Sequence, residues 1–179
     1  MRLKESVRAL IVDPDDAVLL VRFLRDGIDI GAGFWANPGG GIEPGETALE
    51  AVRRELREEV GLEVDHLGPE VWVSKVLRPM TRWDGRIDHI HLYRTPRFRP
   101  RPELSEARLR AEGIQETRWW SPEELQTSGV TFFPGALPEL LKQLRRDGTP
   151  ATPIDVSSPL SPTQAARSLD ASSATRDKT

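Results

Sequence analysis

Apolar and polar positions divide the chain into short strand-like runs around one long amphipathic stretch. Val7–Val12 and Val18–Phe23 are rich in Val and Leu and flank Asp13-Pro14-Asp15-Asp16, so they predict a hairpin. Val71–Leu77 and Ile87–Tyr93 predict two further strands, with Asp84-Gly85 as the turn between them. Ile114–Trp120 reads as the last strand. Ser121-Pro122-Glu123-Glu124 then offers an N-cap, a proline at the first helical position and a capping-box glutamate. A final helix is expected over Leu137–Arg146, stopped by Gly148. Mixed strands with few helices predict an α+β fold, an α/β/α layered sandwich rather than a doubly wound sheet.

The strongest helical signal lies between Thr47 and Leu62. Thr47 and Glu50 have capping-box spacing, and Gly61 is placed to end the helix in a left-handed conformation. At ~100° per residue, Leu49, Val52, Leu56 and Val60 form one stripe that must face a core. Beside it Glu55, Glu58 and Glu59 crowd into an arc of about 100°. Such crowding is unfavourable: each i,i+3 or i,i+4 like-charge pair costs a few tenths of a kcal/mol, and acids near a helix C-terminus oppose its dipole. One explanation is a solvated face laced by Arg53, Arg54 and Arg57, with Glu50, Arg54 and Glu58 at ion-pair spacing. The other is a hard divalent cation, since Mg²⁺ is held by a few carboxylates together with substrate phosphate oxygens. The helix alone leaves both open.

Composition narrows the setting. The 179 residues are 37% hydrophobic and 30% charged, enough for one domain with a real core. A formal net charge of −3 argues against nucleic acid as a partner and against attraction to membranes. Without cysteine, disulfides and thiolate metal sites are excluded. No signal peptide and no membrane-spanning run is visible, so a cytoplasmic protein is expected. A folded domain is expected over 1–147, followed by a Pro/Ser/Thr-rich tail over 148–179. That tail has no aromatic residue and is expected to be disordered. Its alternative is an ordered arm across a second copy in a homodimer, anchored by Ile154, Val156 and Leu160.

The segment before the helix decides between the two readings of the acidic edge. Asn37-Pro38-Gly39-Gly40-Gly41 is a turn whose backbone can approach a ligand closely. From it the chain reads Gly40, five residues, Glu46, seven residues, Arg54-Glu55-Leu56, then Arg57, Glu58-Glu59, Val60, Gly61 and Leu62. This resembles the Nudix signature at every specified position, a match expected by chance on the order of 10⁻⁸ per site. The resemblance implies the Nudix fold, with the box as a loop, helix and loop. It implies a hydrolase that cleaves phosphoanhydride bonds of nucleoside diphosphate derivatives or triphosphates with Mg²⁺ or Mn²⁺. By position in the motif, Glu55, Glu58 and Glu59 correspond to metal-binding carboxylates, with the Gly40 carbonyl as a further ligand. Glu55 would also orient or deprotonate the attacking water, and Arg54 would fix a catalytic glutamate. Glu46 corresponds to a brace between loop and helix. Many members add a carboxylate from the loop before the last strand, for which Glu112 is best placed and Glu116 second. A nucleotide-sensing module without turnover and an RNA-end pyrophosphohydrolase are the alternatives, although sensors typically lose box glutamates and this chain keeps them.

Three weaker features complete the reading. His89 and His91 share one face of a strand and read as surface or satisfied core histidines rather than ligands. Of Trp35, Trp72, Trp83, Trp119 and Trp120, most are expected in the core, with Trp83 exposed. The Arg-rich stretch from Arg94 to Arg110 reads as a solvated loop partly covering the active site.

Overall fold

The computed structural model describes residues 1–24, 31–77 and 82–157. The two N-terminal runs form β1 (Leu3–Val12) and β2 (Val18–Phe23), antiparallel with Ile11 opposite Leu19. Asp13 closes their turn by accepting the Asp15 and Ala17 N–H groups at 2.9 Å. Two short strands follow, β3 (Phe34–Ala36) and β4 (Gly39–Gly41). The glycine run is thus not a loose turn. Its backbone pairs antiparallel with Ser6–Arg8 of β1.

Helix α1 (Ala48–Glu59) precedes β5 (Glu70–Val76) and β6 (Gly85–Arg94). β6 runs parallel to the whole of β1 and antiparallel to β5. Asp84, a bend at the end of the connection between β5 and β6, exchanges hydrogen bonds with the backbone of Arg2. The rest of that connection, residues 78–81, lies outside the described residues. After α2 (Glu106–Ala111), β7 (Ile114–Trp120) pairs with β2. Then come α3 (Pro122–Thr127), β8 (Phe132–Phe133), α4 (Leu137–Asp147) and β9 (Ile154–Asp155). The sheet order is β8-β3-β2-β1-β6-β5-β9, with β4 on β1 and β7 on β2.

Strand alternation sends side chains into two cores, which makes the layered sandwich. Val7, Ala9, Ile11, Leu19 and Val21 pack on the α1 stripe Val52, Leu56 and Val60. Leu10, Val12, Val18 and Leu20 face Leu125 of α3 and Leu137 and Leu144 of α4. Full burial of a Val or Leu is worth about 1.5–3 kcal/mol, so α1 is held firmly by its stripe.

Strand pairing continues past residue 147. Ile154 pairs in parallel with Trp72, and Val156 N–H donates to Val73 O at 2.8 Å. Ile154 and Val156 are the anchors read in the tail, and they pack on this chain's own second core. Leu160 and the remainder of the tail lie outside the described residues. None of the described helices is long and apolar enough to cross a membrane.

Candidate active site

Both ends of α1 are closed as its sequence requires. The Thr47 hydroxyl accepts Glu50 N–H at 3.2 Å, and the Glu50 carboxylate returns to Thr47 N–H at 2.8 Å. Glu50 is therefore a cap and not the ion-pair partner of Arg54. At the other end, Gly61 adopts φ +73°, and a Cβ there would overlap the Arg101 carbonyl. That close approach lets the Arg-rich segment supply donors to the open helix carbonyls. Arg101, Glu103 and Leu104 N–H groups reach Val60, Arg57 and Glu58 carbonyls at 3.0–3.2 Å. Arg57 adds an ion pair to Glu103 at 2.8 Å. The segment read as a solvated loop thus caps α1, and its later part is helix α2.

Arg54 ties the helix to the glycine turn. Its Nε and Nη2 hold the two Glu46 oxygens at 2.9 Å, a bidentate fork. Nη1 donates to Glu55 Oε1 at 2.7 Å, Nη2 donates to Gly41 O at 3.1 Å, and Glu58 stands at 3.7 Å. Glu55 is 8% exposed and Glu59 only 3% exposed, while Glu58 is half-buried. Glu59 accepts Gly39 N–H at 2.8 Å. Burial and the charge of Glu55 nevertheless push its carboxyl up to about 8, against the Gly39 hydrogen bond and Arg8. Burial also raises Glu55, opposed by Arg54.

Glu112 caps the end of α2, close enough for its charge to raise Glu59 further. Glu116 instead faces Arg22 at 3.4 Å. The structure therefore sets Glu55 and Glu59 against the glycine turn, keeps Glu58 within 3.7 Å of Arg54, and leaves Glu116 apart. Among the described residues, no three His, Asp or Glu side chains are gathered closely enough to hold an ion unaided. The donor set still fits a hard cation. Two buried carboxylates sit against a glycine turn where a Cβ on Gly40 would overlap the Glu55 carboxylate. Mg²⁺ asks for one or two carboxylates, with water and phosphate oxygens completing its shell.

The histidines serve the framework. His89 lies between Glu70 at 2.6 Å and Glu5 at 2.7 Å, and His91 contacts Gly68 O at 2.7 Å. Trp83 is half-buried beneath Arg2 rather than exposed. Sequence reasoning missed Arg8 and Asp88, paired at 2.8 Å, and Asn37, whose buried amide atoms have no partner among the described residues. The available signal was a charge inside each apolar strand run, VRALIV and IDHIHL.

Comparison with known proteins places this arrangement. A family model described as NUDIX domain matches residues 2–140. A CTP pyrophosphohydrolase of Escherichia coli is 36% identical over 119 residues, 66% of this chain and 77% of that protein. A nucleoside triphosphatase, NudI, also of Escherichia coli, is 36% identical over 117 residues, covering 64% and 80% of the two chains. The solution structure of the Escherichia coli ORF135 protein aligns with TM-score 0.54 and 32% identity over 85% of this chain and 96% of that one. A MutT NUDIX hydrolase from Burkholderia pseudomallei, at 20% identity and TM-score 0.58, shares the fold over 80% of this chain and 99% of its own.

Proposed function

The chain belongs to the NUDIX domain family and is a Nudix-type hydrolase, and from that premise we propose that it hydrolyses a nucleoside triphosphate to the monophosphate and pyrophosphate with Mg²⁺ or Mn²⁺. The observation that carries the reading is the Glu55–Glu59 pair, two carboxylates buried against the glycine turn, where burial disfavours their charged forms. The two relatives named above for CTP and nucleoside triphosphates favour a triphosphate over a nucleotide sugar.

Glu55, Glu58 and Glu59 would hold the cation with the Gly40 carbonyl, and Glu112 would join from α2. Bound there, a divalent cation supplies charge neutralisation of phosphate oxygens and a lowered pKa for coordinated water. Glu55 takes a proton from the attacking water, and burial, by raising its carboxyl above the usual range, makes it a stronger base. Water oxygen bonds to phosphorus, the anhydride P–O bond between the α- and β-phosphorus breaks, and the bridging oxygen leaves with pyrophosphate or with the nucleoside monophosphate, according to which phosphorus is attacked. Arg54 positions rather than reacts: its fork on Glu46 and its bond to Glu55 fix the base against the turn.

The test is a panel of nucleoside triphosphates, nucleotide sugars, dinucleoside polyphosphates and capped RNA, assayed with Mg²⁺ for phosphate and pyrophosphate release. At least one triphosphate is expected to turn over. Glu58→Gln is expected to lower kcat by a factor on the order of 10² with the fold intact. Inactivity across the whole panel would make the protein a nucleotide sensor. Full activity of Glu58→Gln would remove the metal assignment.

A further inference from the structure

We propose that Arg8 and Asp88 are positioning residues of this metal centre, a buried pair that sets the glycine turn and, through Gly39, the direction of the Glu59 carboxylate. The inference rests on the metal-dependent reading above. Arg8 is the one charged residue in the VRALIV run of β1, yet it points inward and is 7% exposed, with Asp88 at 2%. Its Nε donates to Asp88 Oδ1 at 2.8 Å, and Arg86 Nε holds Asp88 Oδ2 at 2.8 Å. Its Nη1 donates to the carbonyls on both sides of Pro38, Asn37 O at 3.0 Å and Gly39 O at 3.1 Å. Pro38 O accepts Ala9 N–H at 2.9 Å. All three carbonyls of residues 37–39 are thus fixed from β1, and the Gly39 N–H they orient is the one that meets Glu59 at 2.8 Å.

Stability does not require such a pair. Two buried ions cost desolvation, and well-packed apolar residues of similar volume are often as stable or more so. A lysine would keep the charge and lose the planar fork that spans three acceptors. What the pair uniquely provides is direction. A purely electrostatic role predicts no change in metal binding on Arg8→Lys, and tighter binding if the Arg8 charge were removed, because a cation beside Glu55 and Glu59 repels a second cation.

The experiment is Mn²⁺ titration of the metal-free protein followed by electron paramagnetic resonance, on wild type, Arg8→Lys and the charge-neutral double variant Arg8→Met/Asp88→Leu. Both variants are expected to bind Mn²⁺ about tenfold more weakly, in the range typical for loss of a group that orients a ligand. The nucleotide KM at saturating Mn²⁺ is expected to stay within about threefold, since neither residue is assigned to the substrate. Unchanged or tighter binding in Arg8→Lys overturns the proposal, even if the double variant fails to fold. Wild-type protein that binds no Mn²⁺ overturns the metal reading and this inference with it. Wild-type binding that neither variant alters overturns the inference alone.

Discussion

The raised pKa of Glu59 makes metal-free stability fall with pH in a window that a single substitution should remove. Glu59 ionises near 4.5 in the unfolded chain and near 8 in the folded one, because burial and Glu55 disfavour its charge. Between those values the folded state holds a proton that the unfolded state has released. Stability therefore declines as pH rises from about 4.5 and levels off above about 8, the reverse of an acid that gains a cationic partner. At about 1.4 kcal/mol per pH unit, the interval gives a ceiling of roughly 5 kcal/mol. Glu59→Gln keeps the size of the side chain and an oxygen to accept Gly39 N–H, but carries no charge at any pH.

The assay is thermal unfolding of both proteins from pH 4.5 to 9 in the presence of a chelator. Each kcal/mol moves the Tm of a chain this size by about 2–4 °C. The variant and wild type should unfold together near pH 4.5, the variant then gaining by about 5 °C or more and the gap levelling above pH 8. Adding Mg²⁺ at pH 8 should raise the wild-type Tm and leave the variant nearly unmoved, because binding only to the folded state stabilises it by mass action. A gap that stays constant across the pH range would refute the reasoning, since Glu59 would then ionise alike in both states. A Mg²⁺ response of equal size in Glu59→Gln would remove Glu59 from the donor set.

Two further substitutions probe geometry. Gly40→Ala places a Cβ against the Glu55 carboxylate, the far end of a flexible side chain, so the fold should tolerate it while Glu55 moves. A loss in kcat on the order of 10- to 100-fold with Tm within a few degrees is expected, and an unchanged kcat would show that Glu55 has no required position. A chain ending at Asp147 lacks the strand that covers Trp72 and exposes the sites of Ile154 and Val156. Burying those two side chains is worth roughly 2–3 kcal/mol, so calorimetry should show a Tm lower by about 5–10 °C. A chain ending at Ser157 keeps that strand, so equal Tm values for the two truncations would show that β9 adds nothing.

What could be read from sequence was what local rules determine. α1 announced both ends, its buried stripe and its acidic edge within 23 contiguous residues, because caps and 3.6-residue periodicity need no distant partner. β3 and β4 did not, since three-residue strands carry no period and depend on β1 and β2 for pairing. Nor did the closure of α1 by residues 101–104, which follows from where the chain returns and not from its composition. Arg8 and Asp88 are 80 positions apart, and each alone reads as a polar residue in a half-exposed strand. Glu112 and Glu116 look alike in sequence; one ends α2, while β7 pairs the other with Arg22. The common cause is that long-range contacts choose among options that local patterns leave equal. The exception is instructive. Three glutamates on one edge near a helix C-terminus conflict with the like-charge and dipole rules in the bare sequence, and the fold does not relieve the conflict. It deepens it by burying Glu55 and Glu59 beneath a glycine turn. A local rule broken in sequence and broken further in structure is the feature the proposed cation would explain.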